Sequence, residues 1–222
     1  FKTAEINYSF YHLPRPATYQ KWYSETPADF IFSVKASRFI THIKRLSGIK
    51  EAWKQFLENA LNLKEKLGTS ENISRLEKFL GLITSQQPAT KKSDRLNKRQ
   101  VSNLKLRGFQ IRYTFEFRHK SWCEEKIYKL LKKYNAAWVI ADSPNYPKTE
   151  VATADFVYIR LHGSKILFGS KYTKKEINSL AQKIKKWLTC PEPSRRKACD
   201  VYIYFNNDAY GYAVKNAKEL LR

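Results

Sequence analysis

The chain has 222 residues, a formal charge of +22 and a pI near 9.9, with 42% hydrophobic and 14% aromatic residues. That apolar content excludes a disordered chain, and the length suits one sizeable core, expected as a single domain over 1–222. The three cysteines, Cys123, Cys190 and Cys199, show no CxxC or Cys/His metal spacing, which argues against a disulfide framework and for a reducing, cytoplasmic setting. So basic a balance favours anionic partners, either nucleic acid or phosphorylated small molecules. Against this, Lys outnumbers Arg, and Lys is the residue of solvated helix faces. Neither a leader pattern nor a long apolar run appears, so a soluble protein without a membrane partner is expected. The chain opens on Phe1 and has no Met, so the natural protein is expected to extend upstream.

Ala4 to Asn7 reads as the end of a strand, followed by Tyr8-Ser9-Phe10-Tyr11-His12-Leu13-Pro14. Thr18 to Ser24 is expected as a short helix stopped before Pro27. Phe30 to Val34 is an apolar strand core ending at Lys35, and Ala36 to Leu46 leads out of it past Arg38 and His42. From Gly48 to Leu67, Trp53, Phe56, Leu57, Ala60 and Leu61 recur at helical spacing. Thr69 to Leu80 is expected as a second short helix, Gly81 to Pro88 as a weak strand and Ser93 to Leu104 as a polar helix. Ile111 to Phe117 alternates as a strand and closes in the dense stretch Glu116-Phe117-Arg118-His119-Lys120-Ser121-Trp122. Cys123 to Tyr134 is then a helix, with Glu124 and Glu125 in its first turn and Lys132 and Lys133 in its last, both matching the helix dipole. Ala137 to Ala141 is a buried-type strand ending at Asp142, and Ser143 to Ala154 is a loop with two prolines. Phe156 to Leu161 is a strand ending in His162-Gly163. Thr173-Lys174-Lys175-Glu176 has the spacing of a capping box and opens a helix with Ile177, Leu180, Ala181, Ile184 and Leu188 on one face. A basic loop from Cys190 to Cys199, a last strand from Val201 to Phe205 ending in Asn206-Asn207-Asp208, and a helix from Ala213 to Leu221 complete the chain.

Repeated strand-then-helix order predicts an α/β protein with parallel strands. Neither a GxGxxG nor a P-loop pattern accompanies it. Side chains alternate faces along a strand. Tyr202, Tyr204 and Asn206 oppose Val201, Ile203 and Phe205; Tyr158, Arg160 and His162 oppose Ile159 and Leu161; Glu116 and Arg118 oppose Phe115 and Phe117; Glu5 and Asn7 oppose Ile6. One face is apolar throughout and the other turns polar at its C-terminal end. That is the pattern of a TIM-like β/α barrel with outer helices and a polar mouth. Glu5, Asn7, Lys35, Glu116, Arg118, Asp142, Arg160, His162, Asn206 and Asp208 would gather there, with Arg38, His42, His119 and Trp122 just outside.

Glu116, Asp142 and His162 end successive strands, so they could divide acid and base roles or hold a divalent metal. A network of buried ion pairs would use the same residues, Glu116 with Arg118 or Arg160 and Asp142 with Lys35. Lys35, Arg38, Arg118 and Arg160 are more cations than the acids require, which points to an anionic ligand. Asn7, Asn206 and Trp122 are further candidate substrate contacts. The basic runs from Lys91 to Arg107 and at Arg195-Arg196-Lys197 would track a phosphate backbone or simply solvate the surface.

Several segments together resemble the domain-of-unknown-function-72 (YecE-like) family. They are Glu5 to Tyr11, Phe32 to Arg38 with Ile40-Thr41-His42, Glu116 to His119 with Ser121-Trp122, Ala141 to Pro144, Thr153 to Gly163, and Tyr202 to Asp208. The resemblance implies a TIM-like β/α barrel and no established activity. Against the family pattern the chain looks incomplete at the N-terminus, lacking the first β/α unit. Lys66-Leu67-Gly68 is followed by Thr69-Ser70-Glu71 with no strand expected there. The family's fourth strand is sought instead at Leu80 to Ala89, after an insertion at 69–79. The resulting expectation is a cytoplasmic hydrolase or isomerase acting on a phosphorylated or other anionic substrate, a sugar or a nucleic-acid phosphodiester. The alternatives are a non-catalytic nucleic-acid-binding module and a decayed, inactive copy.

Overall fold

The structure, a computed structural model, describes residues 1–44, 46–71, 111–189 and 200–222. The chain divides into two compact units, Phe1–Tyr113 and Thr114–Arg222.

In the first unit, β1 (Thr3–Ile6) leads through the single turn α1 (Tyr8–Tyr11) to α2 (Pro16–Ser24). Pro16 sits where its missing N–H costs nothing and its fixed φ suits the first helical turn. β2 (Ile31–Lys35) runs parallel to β1, with Thr3 opposite Ile31 and Ile6 opposite Val34. A turn of π-helix, Phe39–Ile43, follows, and then α3 (Lys50–Ala60). α3 buries Trp53, Phe56, Leu57 and Ala60, the apolar stripe expected from their spacing.

The expected helix to Leu67 does not form at full length. A tighter 3₁₀ turn, Leu61–Lys66, replaces its end, and Lys64 leaves helical space at φ 51 and ψ −128. β3 (Leu67–Glu71) then pairs parallel to β2, where no strand was expected. Two features explain the correction. Leu63 is fully buried, and Lys66 is buried with its ammonium donating to the carbonyls of Tyr23 (2.6 Å) and Thr26 (2.8 Å) and to the Thr26 hydroxyl (3.2 Å). Pinned there, the chain enters alongside β2, and backbone pairing overrides the weak strand propensity of Gly68 and Ser70. The insertion expected at 69–79 thus gives its first three residues to this strand. The strand expected at Leu80 to Ala89, the helix at Ser93 to Leu104 and the basic run from Lys91 to Arg107 lie outside the described residues, as does the loop interior at 190–199.

β4 (Arg112–Phe115) runs across the division between the units. In the second unit a 3₁₀ turn, Lys120–Trp122, precedes α4 (Glu125–Lys133). β5 (Ala136–Asp142) and β6 (Phe156–Leu161) are parallel, with Val139 opposite Tyr158. α5 (Lys174–Thr189) leads to β7 (Asp200–Phe205), parallel to β6, and α6 (Tyr212–Leu220) ends the chain. The capping box forms as the spacing predicts: the Thr173 N–H donates to Glu176 Oε2 (2.7 Å) and the Glu176 N–H to Thr173 Oγ1 (3.3 Å).

β6 is buried along its whole length on both faces, as expected of a parallel strand between two apolar layers. One layer is Ala137, Val139, Ala154, Phe156, Tyr158 and Tyr204. On the other, Trp138 stacks on Phe117 (4.4 Å between centroids) and meets Tyr128 of α4 edge-on (5.2 Å). The β5–β6 connection is the expected loop, tied back by the Thr153 hydroxyl, which donates to Ala136 O (2.7 Å) and accepts from Trp138 N–H (2.7 Å). A buried amide pair secures β7 to α6. Asn207 Nδ2 donates to Ser170 O and to Asn216 Oδ1, both at 3.0 Å, and Asn216 bonds both backbone groups of Tyr172.

Candidate functional site

Glu116 stands one residue past β4, Arg160 lies on β6 and His162 one residue past it. The strand alternation puts all three side chains on one face, and there they meet. Glu116 Oε2 accepts from Arg160 Nη1 and from His162 Nε2, each at 2.8 Å. The three side chains are only 1–3% exposed. Arg118 approaches the other carboxylate oxygen, Nε to Oε1, at 3.4 Å, with its side chain 52% exposed.

Burial by itself would raise the pKa of Glu116. The Arg160 guanidinium, the His162 hydrogen bond and the Arg118 charge outweigh it and hold the carboxyl well below the usual carboxylate range. An ionised carboxylate only accepts hydrogen bonds, so Nε2 of His162 carries the proton. Nδ1 is then the nitrogen left to take or give a proton, and it is buried with no hydrogen-bond partner among the described residues.

Two rings cover the imidazole. Tyr146, from the β5–β6 loop, meets it edge-on at 5.4 Å and carries the Arg118 guanidinium on its face at 4.9 Å. Phe168 meets it at 5.5 Å and is partly exposed. Phe168 occupies left-handed backbone space (φ 61), an uncommon state for a bulky residue, and its N–H donates to His162 O. The turn behind it needs Gly163, at φ 108, where an added Cβ would strike Ile166 O and Ser170 Oγ. Neither Tyr146 nor Phe168 stood out in the sequence. Tyr146 follows Pro144 in an irregular loop, and Phe168 lies in a segment without periodicity.

Asp142 does not join this cluster. On β5 it shares parity with Trp138 and Ile140, whereas Ala137, Val139 and Ala141 face the layer that holds Tyr158. Its Oδ1 lies 2.5 Å from Lys148 Nζ. It lines a cavity of about 280 Å³ with Ile159, Tyr172, Ile177 and Lys148. Burial, with Asp142 beside it, pushes the Tyr172 hydroxyl up. The set Glu116, Asp142 and His162 is therefore not assembled, and no group of three or more His, Cys, Asp or Glu gathers closely enough to hold a metal among the described residues.

Asn206 is half-buried at the end of β7, with its N–H donating to Leu161 O (2.8 Å). Trp122 packs on Phe117 (5.0 Å) at the rim. His119 caps its own turn, Nδ1 accepting from the Ser121 N–H. In the first unit, Lys35 lies over the Phe10 ring (4.5 Å), and Asn7 and Arg38 are exposed at the starts of α1 and of the π turn.

Parallel strands joined through helices define an α/β protein. The chain belongs to the DUF72 family, described as proteins of unknown function, whose profile matches residues 1–222. The UPF0759 protein YunF of Bacillus subtilis (strain 168) is 24% identical over 243 residues, covering 100% of this chain and 82% of that protein. A solved DUF72 family protein from Enterococcus faecalis V583 superposes with a TM-score of 0.73 at 17% identity, covering 99% of this chain and 83% of that one. Another, from Thermotoga maritima MSB8, gives 0.72 at 21% identity, covering 100% and 84%. These likenesses show the α/β fold anticipated from the sequence. Among the described residues no helix is long and apolar enough to cross a membrane.

Proposed function

We propose that this protein is a cytoplasmic enzyme, a hydrolase or isomerase, that acts on an anionic substrate such as a phosphorylated sugar or a nucleic-acid phosphodiester. His162 transfers the proton through Nδ1. Glu116 fixes its tautomer and balances its charge, Arg160 anchors that carboxylate, and Arg118 takes the substrate's anion. Asn206 is a further contact. In this reading Glu116 is not itself an acid or base, because its depressed pKa leaves it a weak proton acceptor.

One observation carries the reading: the buried Glu116–His162 pair whose far nitrogen is unmatched among the described residues. Arg160 alone would neutralise Glu116. Adding a buried imidazole with an unsatisfied Nδ1 works against stability, which is the mark of a group kept for chemistry. Arg118 supports the anion, since its guanidinium is held at 3.4 Å by an acid already paired with Arg160 and is half open to solvent.

The test is turnover of a panel of phosphorylated sugars and short phosphodiesters by the wild-type protein and by His162→Ala. The expected result is that one class is turned over, with kcat falling about 10²–10⁴-fold in the variant while binding stays near wild type. Binding without turnover in the wild-type protein would overturn the proposal and favour a binding module.

A further inference from the structure

The first unit carries a second cluster, of different chemistry. The segments that leave β1 and β2, residues 7–13 and 35–44, contain Tyr8, Phe10, Tyr11, His12, Lys35, Arg38, Phe39, His42 and Lys44 and no Asp or Glu. Their rings fall into three local sets on these two segments. Phe10 meets Tyr11 (4.9 Å) and His42 (5.2 Å) edge-on and lies under the Lys35 ammonium (4.5 Å). Tyr8 stacks on His12 (4.6 Å), and Lys44 lies over Phe39 (5.6 Å). Phe10 and Lys35 are half-buried, while Tyr8, Tyr11 and Phe39 are 54%, 70% and 45% exposed. Large aromatics normally bury most of their area, so three exposed ones on two segments that also expose Arg38 and Lys44 call for a partner. The chemistry that fits is a flexible polyanion with flat rings: phosphates for the cations, bases for the aromatic faces.

We infer that this surface binds single-stranded nucleic acid, with Tyr8, Tyr11 and Phe39 stacking on bases and Arg38 and Lys44 holding phosphates. Charge complementarity selects this occupant, since the two segments are basic without a single carboxylate and the whole chain is strongly cationic. A polysaccharide would use the rings but not the cations, and a purely electrostatic contact would use the cations but not the rings.

Binding of a labelled oligothymidylate to the full chain, followed across a salt series, tests the inference. Inorganic polyphosphate and a neutral oligosaccharide serve as comparison ligands. Expected is tighter binding of the oligothymidylate than of polyphosphate of equal charge, and none of the oligosaccharide. Tyr8→Ala, Tyr11→Ala and Phe39→Ala should each weaken binding about fivefold to a hundredfold without changing the salt slope. Arg38→Ala and Lys44→Ala should each flatten that slope by about 0.7. Tyr11→Trp should restore binding. The inference is overturned if the oligothymidylate fails to bind, if polyphosphate binds as tightly, if the oligosaccharide binds instead, or if the three ring variants bind like wild type. None of these outcomes depends on turnover, so the His162 proposal stands or falls separately.

Discussion

The strand ends of the two units solve the same local problem in opposite ways. In the second, charge is taken out of water: Glu116, Arg160 and His162 are buried and hold one another in fixed geometry. In the first, charge and aromatic surface stay in water, with Tyr8, Tyr11, Phe39, Arg38 and Lys44 all exposed. Burial decides what each can do. A buried cluster is hardly screened by salt and fixes a proton on a chosen atom, at a desolvation cost that its members must offset for each other. An exposed cluster is cheap to keep, contributes little to stability, and meets its partner through contacts that weaken with salt.

The largest expected effect comes from breaking the buried side. Glu116→Ala takes the carboxylate away from the buried Arg160 guanidinium and should cost about 3–5 kcal/mol, read from denaturant midpoints. A loss below about 1 kcal/mol would mean the cluster is hydrated in solution. Lys66→Ala is expected next. It removes a buried ammonium with three acceptors and takes that donor from the carbonyls of Tyr23 and Thr26, for about 2–3 kcal/mol. An unchanged midpoint would show that this cage does not hold the chain where it enters β3.

Acid sharpens the contrast further. The Glu116 carboxyl is depressed in the folded state, so its contribution is fully present above its unfolded pKa of about 4.3 and is lost as pH falls toward the lower folded value. Stability should therefore drop below about pH 5 more steeply in the wild-type protein than in Glu116→Gln. Parallel acid limbs would contradict the ion pairing. The smallest effect belongs to the exposed side. Tyr8→Ala and Tyr11→Ala should stay within about 0.5 kcal/mol of wild type, and a larger loss would place those rings in the core.

Much of the buried cluster was legible in the sequence, and where it was not the cause is physical. Strand parity alone brought Glu116, Arg160 and His162 to one face and sent Phe117 to the other, against Trp138. Thr173 and Glu176 announced the start of α5 because a capping box is a local device that needs no tertiary partner. Asp142 was misplaced by its position at a strand end, although the same parity rule, applied to Ala137-Val139-Ala141, puts it on the helix side with Lys148. β3 was missed because Leu67 to Glu71 has no strand pattern of its own. It is a strand through pairing with β2, which no local signal reports. Phe168 was invisible for a related reason: its place over His162 depends on a left-handed backbone turn that Gly163 makes room for, five residues earlier.

The central claim is that an ionised Glu116 fixes the proton of His162 on Nε2 and leaves Nδ1 for chemistry. Nitrogen-15 NMR of the imidazole at neutral pH reads this directly. A protonated, hydrogen-bonded Nε2 is expected in the wild-type protein, with loss of that tautomer preference in Glu116→Gln. A proton on Nδ1 with a bare Nε2, in the wild-type protein, would contradict it.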